Sequence, residues 1–267
     1  MTGETKLLAG KVAFLTAAGS GIGRAGALKL AASGARLFVT DRDPEAARAT
    51  AGLIRDAGGE AVDHGLDVTS FAAVDTLLAA CLKDFGRIDI LHNHAGVQIA
   101  GSAESLSIAD FEQSLRVNLM AQFVAAKAVI PLMKEQGGGV ILNSSSNAGL
   151  FLDWAMLAYT TSKAAVITLT RQLALDYGGC GIRVNALCPG WVDTPFNLPY
   201  QNHLGGREAL EQVVRTKVPL GRFGRLDELA DAILFLVSPM SSYVTGHALV
   251  VDGGESLAAA ASMGAPA

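Results

Sequence analysis

Cysteine is scarce: Cys81, Cys180 and Cys188 are the three in 267 residues. An odd count without a Cys-x-x-Cys pair argues against a disulfide framework and a zinc ribbon, so a reducing cytoplasm is the expected compartment. Charge is sparse at 17%, and 21 basic against 25 acidic residues leave a net charge of −4. That balance offers no electrostatic footprint for nucleic acid. No uninterrupted apolar run reaches the roughly 18 residues of a bilayer span, so no membrane contact is expected. Residues 1–11 lack the apolar centre of a secretion signal. Linker composition and internal repeats are also missing, which predicts a single domain over 1–267 with its core at about 7–256 and a loose, small-residue tail at 257–267. What is plentiful is apolar content, 50% of residues.

That content is distributed in a pattern. Short apolar runs at 12–15, 37–39, 88–91, 140–142, 184–187 and 248–251, with a weaker one at 61–64, read as strands. Most are continuously apolar, as parallel strands covered on both faces are. Helix-like stretches at 21–33, 44–57, 70–85, 107–136, 158–179 and 227–237 lie between them. The alternation predicts a Rossmann-type, doubly wound parallel sheet with helices on both faces. The segment from Trp191 to about Leu226 has weak periodicity and reads as a long lid or binding loop.

The first strand runs into Thr16-Ala-Ala-Gly-Ser-Gly-Ile-Gly23 and then a helix. Glycines there let backbone approach a pyrophosphate, and the free N–H groups of the helix point at it. Two registers compete, a tight turn from Thr16 and the fingerprint Gly21-x-Gly23-x-x-Gly26. The second strand ends at Asp41. A carboxylate there can accept from the adenosine ribose hydroxyls and repel a 2′-phosphate, which favours NAD over NADP. Two readings temper this: Asp41 could simply cap the next helix, and Arg42 beside it could hold a phosphate.

Tyr159 and Lys163 stand at i and i+4, one turn apart on one helix face. A free phenol titrates near 10. A cation ~5 Å away at an effective dielectric of ~20 contributes about 3 kcal/mol, or roughly two units of depression. That would bring the phenol into range for general acid–base work. Alone, the spacing is usually a solvated face. The order of the other motifs adds weight: Ser144-Ser145-Ser146 thirteen residues before the tyrosine, Asn93-His94-Ala95-Gly96 after a strand, Asn118 in Val-Asn-Leu, and Pro189-Gly190 after Arg183-Val-Asn-Ala186.

With these motifs in this order, residues 7 to 256 resemble a classical short-chain dehydrogenase/reductase. The resemblance implies that Tyr159 is the general acid/base and that Lys163 lowers its pKa and bonds the nicotinamide ribose. It implies that Ser146, by its spacing to the tyrosine, holds the substrate oxygen, and that Asn118 bends its helix and holds a water of the proton relay. For the cofactor it implies Gly19, Ser20, Gly21, Ile22, Gly23, Asp41, Arg42, Asp67, Val68, Asn93, Ala95, Gly96, Pro189, Gly190, Val192 and Thr194. Two positions depart from the family pattern. Ala17 replaces the first glycine and is expected to keep φ below zero or to shift the loop slightly. His94 replaces an asparagine and is expected to be hydrogen-bonded in the core. His92 and His94 share a strand face, but no third ligand lies in sequence reach, so no metal is expected.

The activity so implied is NAD-dependent interconversion of a secondary alcohol and a ketone. Val97, Leu152, Trp154, Met156, Trp191 and Phe196 suggest an apolar or aromatic substrate pocket, although ordinary packing is an equal reading for Trp191 and Phe196. Sugar or polyol oxidation is the alternative, since Asn147, Asp153, Gln98 and Asn197 could bind hydroxyls. A 3-oxoacyl reductase and a non-catalytic NAD-sensing scaffold are further alternatives. Excess apolar residues on helices 107–136 and 158–179 suggest faces buried between subunits, and a homotetramer is expected.

Overall fold

The computed structural model describes residues 6–258. The loose tail expected at 257–267 lies outside them apart from its first two residues. In chain order the elements are β1 (Val12–Leu15), α1 (Gly21–Ala32), β2 (Arg36–Asp41), α2 (Pro44–Asp56), β3 (Ala61–Gly65), α3 (Phe71–Phe85), β4 (Ile90–Asn93) and α4 (Ile108–Leu115). A π-helical turn (Arg116–Met120) joins α4 to α5 (Ala121–Glu135), followed by β5 (Gly139–Ser144), α6 (Leu157–Tyr177) and β6 (Ile182–Pro189). Then come α7 (Leu198–His203), α8 (Arg207–Lys217), α9 (Leu226–Val237), β7 (Ala248–Val251) and the short α10 (Glu255–Ala258).

The strands form one parallel sheet in the order β3-β2-β1-β4-β5-β6-β7. Successive side chains of a strand point to opposite faces. In β1, Val12 and Phe14 accordingly enter a core shared with α3, α5 and α6, while Ala13 and Leu15 enter one shared with α1, α2 and α9. Both faces are dry, which is why the strand is continuously apolar. The chain leaves β1 toward β2 and β3, then returns to lay β4 on the other side of β1. Ligands of open α/β sheets bind at such a reversal, outside the carboxyl ends of the strands.

Two expectations change. The fourth strand starts at Ile90, because Asp89 turns its buried carboxylate back onto the start of β1. There it accepts from Val12 N at 3.0 Å, Lys11 Nζ at 3.1 Å, and Arg87 Nη2 and Nε at 2.6 and 2.7 Å. The stretch from Trp191 to Leu226 is not one loop. Its α8 buries Leu210 and Val214, one turn apart, with Val218 against Trp191, Tyr200, Leu204 and Phe223. That cluster is small, so its periodicity was short. The stretch Ile108–Glu135 is long and apolar enough by length and composition to cross a membrane. Here Val117, Ala121, Ala125, Ala126, Val129, Ile130 and Met133 from it join the core beneath the sheet.

Candidate active site

The loops after β1, β2, β3, β4, β5 and β6 enclose a cavity of about 530 Å³ at the sheet reversal. One wall is made by Ser20, Gly21, Ile22, Asp41, Arg42, Asp67 and Val68. Asp41 does not cap α2; Asp43 does, accepting from Glu45 N and Ala46 N. Asp41 instead accepts from Gly19 N at 2.8 Å and Asp43 N at 3.0 Å, so it ties the glycine loop to the end of β2. Arg42 is exposed at the rim and makes no hydrogen bond or ion pair among the described residues. Asp67 accepts from the hydroxyl and N–H of Thr69, which hold its carboxyl below the usual range, aided by Arg42 and Arg116.

Ala17 is a correction. Its φ is +52°, in the left-handed region, not below zero. Thr16 N bonded to His92 O, Ala18 N to Thr40 O and Gly19 N to Asp41 fix the chain on both sides of it. Gly23 does not line the cavity; a Cβ there would strike the Ala17 carbonyl, so this glycine serves the close passage of loop over helix. Asn93 is also withdrawn from the cavity. It donates to Asn143 Oδ1 at 3.0 Å and stitches β4 to β5. Ala95, Gly96, Pro189, Gly190, Val192 and Thr194 all line it.

The residues present fit a dinucleotide on one further observation. Ser20, at the N-cap of α1, makes no side-chain capping bond, and the first turn holds no acid. The N–H groups at this helix start are left for an anion.

Tyr159 and Lys163 share a face of α6, both buried. The three serines diverge: Ser144 Oγ meets His94 Nδ1 at 2.8 Å, Ser145 Oγ donates to Lys163 O at 2.7 Å, and Ser146 meets the Tyr159 phenol. Asn118 sits in the π turn and binds both main-chain groups of Val97, accepting from N at 2.8 Å and donating to O at 3.0 Å. Its own carbonyl accepts from Gln122 Nε2 at 2.9 Å.

Burial opposes the expected depression of the phenol by Lys163. Burial pushes Tyr159 up to about 12, against the hydrogen bond from Ser146 that works downward. Lys163 Nζ donates to Ser144 O at 2.9 Å and lies 5.7 Å from the tyrosine ring centroid, so its charge is not spent on the hydroxyl. Burial brings Lys163 itself down to about 8. Burial and the Lys163 charge bring His94 down to about 4, a neutral imidazole at ordinary pH. His92 and His94 stand with ring centroids 5.2 Å apart, and no group of three metal-ligating residues occurs among the described residues.

At the substrate end, Val97, Asn147, Met156, Trp191 and Phe196 line the cavity, with Gln98, Asp153 and Asn197. Leu152 and Trp154 do not; they are 73% and 57% exposed. Phe151 and Glu255 line it and were not anticipated. Phe151 carried no periodic signal, and Glu255 is brought to Asn147 from 108 residues away.

A buried tyrosine, lysine and serine in a cavity beside a glycine-rich turn at the sheet reversal point to an oxidoreductase of the doubly wound class. The family model described as enoyl-(acyl carrier protein) reductase matches residues 16–256. The chain is 39% identical over 245 residues to an uncharacterized oxidoreductase of Thermotoga maritima, covering 92% of this chain and 97% of that one. It is 36% identical over 252 residues to a 2,5-dichloro-2,5-cyclohexadiene-1,4-diol dehydrogenase of Sphingobium indicum, covering 94% and 98%. A 7α-hydroxysteroid dehydrogenase complexed with NADH and 7-oxo glycochenodeoxycholic acid superposes with a TM-score of 0.88 at 35% identity, covering 95% and 98%. The chain belongs to the short-chain dehydrogenase/reductase family, whose members are nicotinamide-dependent oxidoreductases acting on alcohols and ketones.

Proposed function

We propose that the protein is an NAD-dependent dehydrogenase that interconverts a secondary alcohol and a ketone, with Tyr159 as general acid/base. The observation that carries this is the joint burial of Tyr159, Ser146 and Lys163 at the cavity end opposite Asp41. A bound nicotinamide dinucleotide supplies the hydride acceptor or donor and, when oxidised, a positive charge. Ser20, Gly21 and Ile22 would hold its pyrophosphate and Asp41 its adenosine ribose. Ser146 donates to the substrate oxygen and fixes the carbinol. The Tyr159 phenolate takes the hydroxyl proton in oxidation and the phenol returns it in reduction. Lys163, one turn from Tyr159 on α6, would hold the nicotinamide ribose, and Asn118 holds the Val97 backbone that walls the site. Purified protein assayed with NAD and NADP against a panel of secondary alcohols tests this; no turnover with either cofactor refutes it.

For the substrate, the lining suits a hydroxyl-bearing molecule with an apolar face, since Val97, Phe151, Met156, Trp191 and Phe196 line the cavity together with polar side chains. Asn147, Gln98, Asp153 and Asn197 are inside, while Leu152 and Trp154 are outside.

We further assign a homotetramer in the cytoplasm. Ile108, Met120 and Phe123 on the helical stretch α4–α5, and Leu175 on α6, are exposed apolar side chains that a second copy would cover. The three thiols are free.

A further inference from the structure

Glu255 is 7% exposed and lines the catalytic cavity. Oε2 accepts from Asn147 Nδ2 at 2.7 Å, and Oε1 accepts from Trp191 Nε1 at 2.8 Å. A carboxylate accepts about four hydrogen bonds, so positions remain open on both oxygens. Being acceptor-only, it turns the Asn147 amide so that Oδ1 faces the Ser146 hydroxyl, 3.3 Å away. One amide thus separates Glu255 from the serine that meets the reacting oxygen.

No cation balances the charge. The two partners of Glu255 are neutral donors, one on each oxygen, and no ion pair to Glu255 occurs among the described residues. Burial raises its carboxyl above the usual range, Asp252 adds to this, and Asn147, Trp191 and Lys217 oppose it. An uncompensated buried carboxyl is costly.

A second observation on the same wall points the same way. Gln98 lines the cavity, and its Oε1 is buried with no hydrogen-bond partner. Asp153 lines it too, whereas the cavity's lysine and arginine are Lys163 beside Tyr159 and Arg42 at the adenosine end. The wall is rich in acceptors and lacks a cation for an anionic tail.

We propose that Glu255 is the specificity-determining acceptor for a second hydroxyl of the substrate, so that the substrate class is a neutral diol or polyol. One carbinol meets Ser146 and Tyr159, and the other donates to Glu255. This rests on the dehydrogenase reading above.

The test is kcat/KM of the full chain, with NAD and NADP, for cyclohexanol, cyclohexane-1,2-diol, cyclohexane-1,4-diol and 4-hydroxycyclohexanecarboxylate. A site built around a substrate hydroxyl discriminates strongly against the analogue lacking it. A diol is expected to exceed cyclohexanol by about tenfold or more, with the carboxylate last. In Glu255→Gln and Glu255→Ala the diol-to-cyclohexanol ratio is expected to fall about tenfold. NADH fluorescence titration and the melting temperature report whether each variant is folded. If neither variant folds, the wild-type order decides. Cyclohexanol or the carboxylate preferred over both diols, or an unchanged ratio in a folded variant, overturns the inference alone. Failure of every carbinol with either cofactor overturns the dehydrogenase reading and this inference with it.

Discussion

Ala17→Gly should stabilise the protein. Ala17 holds φ +52°, where its Cβ crowds the following carbonyl. For an L-residue this conformation costs about 1–2 kcal/mol. The strain cannot relax locally, because Thr16, Ala18 and Gly19 donate to His92 O, Thr40 O and Asp41 Oδ2 around it. Glycine removes the strain but adds freedom to the unfolded chain, which costs about 0.4–1 kcal/mol. The balance is a gain of about 0.5–1 kcal/mol, or a rise in Tm of roughly 1–4 °C for a domain of this size. Calorimetry or denaturant unfolding of the two proteins, without cofactor, measures it. Ala17→Val should do the opposite, since a β-branched residue tolerates positive φ least. An unchanged or lower Tm for the glycine variant would show that the backbone is unstrained here and would refute the reasoning.

Tyr159→Phe should abolish turnover while NADH still binds, because the ring keeps its packing and only the proton carrier is lost; residual activity above a few per cent rules out the assigned base. Alcohol oxidation should rise with pH across about 6 to 9, since the phenol, pushed up by burial, is active only when deprotonated and lies mostly protonated there; a flat profile with chemistry rate-limiting counts against it. Asp41→Asn should narrow a preference for NAD over NADP by about tenfold or more, because a unit charge ~4 Å from a phosphate is worth about 4 kcal/mol at an effective dielectric of ~20, part of it offset by Arg42; equal wild-type kcat/KM for both cofactors would sink the role of this carboxylate. Asp89→Ala should destabilise by about 2–4 kcal/mol, by unpairing Arg87 and Lys11 and orphaning Val12 N. Burial works to raise the Asp89 carboxyl, yet Arg87, Val12 and Lys11 hold it below the usual value. Its contribution is therefore complete above the unfolded carboxyl pKa and lost as pH falls through the folded one, so wild type and variant should converge in acid; a gap that widens there contradicts the sign.

The sequence by itself determined the elements whose signal is local. The continuous apolar runs announced parallel strands covered on both faces, because a strand between two helical layers has no polar side. The spacing from Tyr159 to Lys163 is a property of one helix, so their shared face was legible without any neighbour. The resemblance to the family, through its thirteen-residue spacing, pointed to Ser146, and the structure shows the other two serines engaged with His94 and with α6. Tertiary structure decided whatever depended on partners distant in the chain. Whether the phenol felt burial or the lysine more strongly was set by what surrounds α6, and burial won because Lys163 Nζ is drawn to Ser144 O. Trp154 and Leu152 flank the catalytic motifs in sequence, but the loop before α6 turns them to the surface. Asn93 looked like a ligand and became a stitch between strands, since only the sheet order puts Asn143 beside it. Glu255 was silent because a single acid near a chain end has no pattern. Its meaning arises where β6 delivers Trp191 and the loop after β5 delivers Asn147 to the same point. Periodicity records which face of an element is dry; it does not record which side chain meets which across the fold.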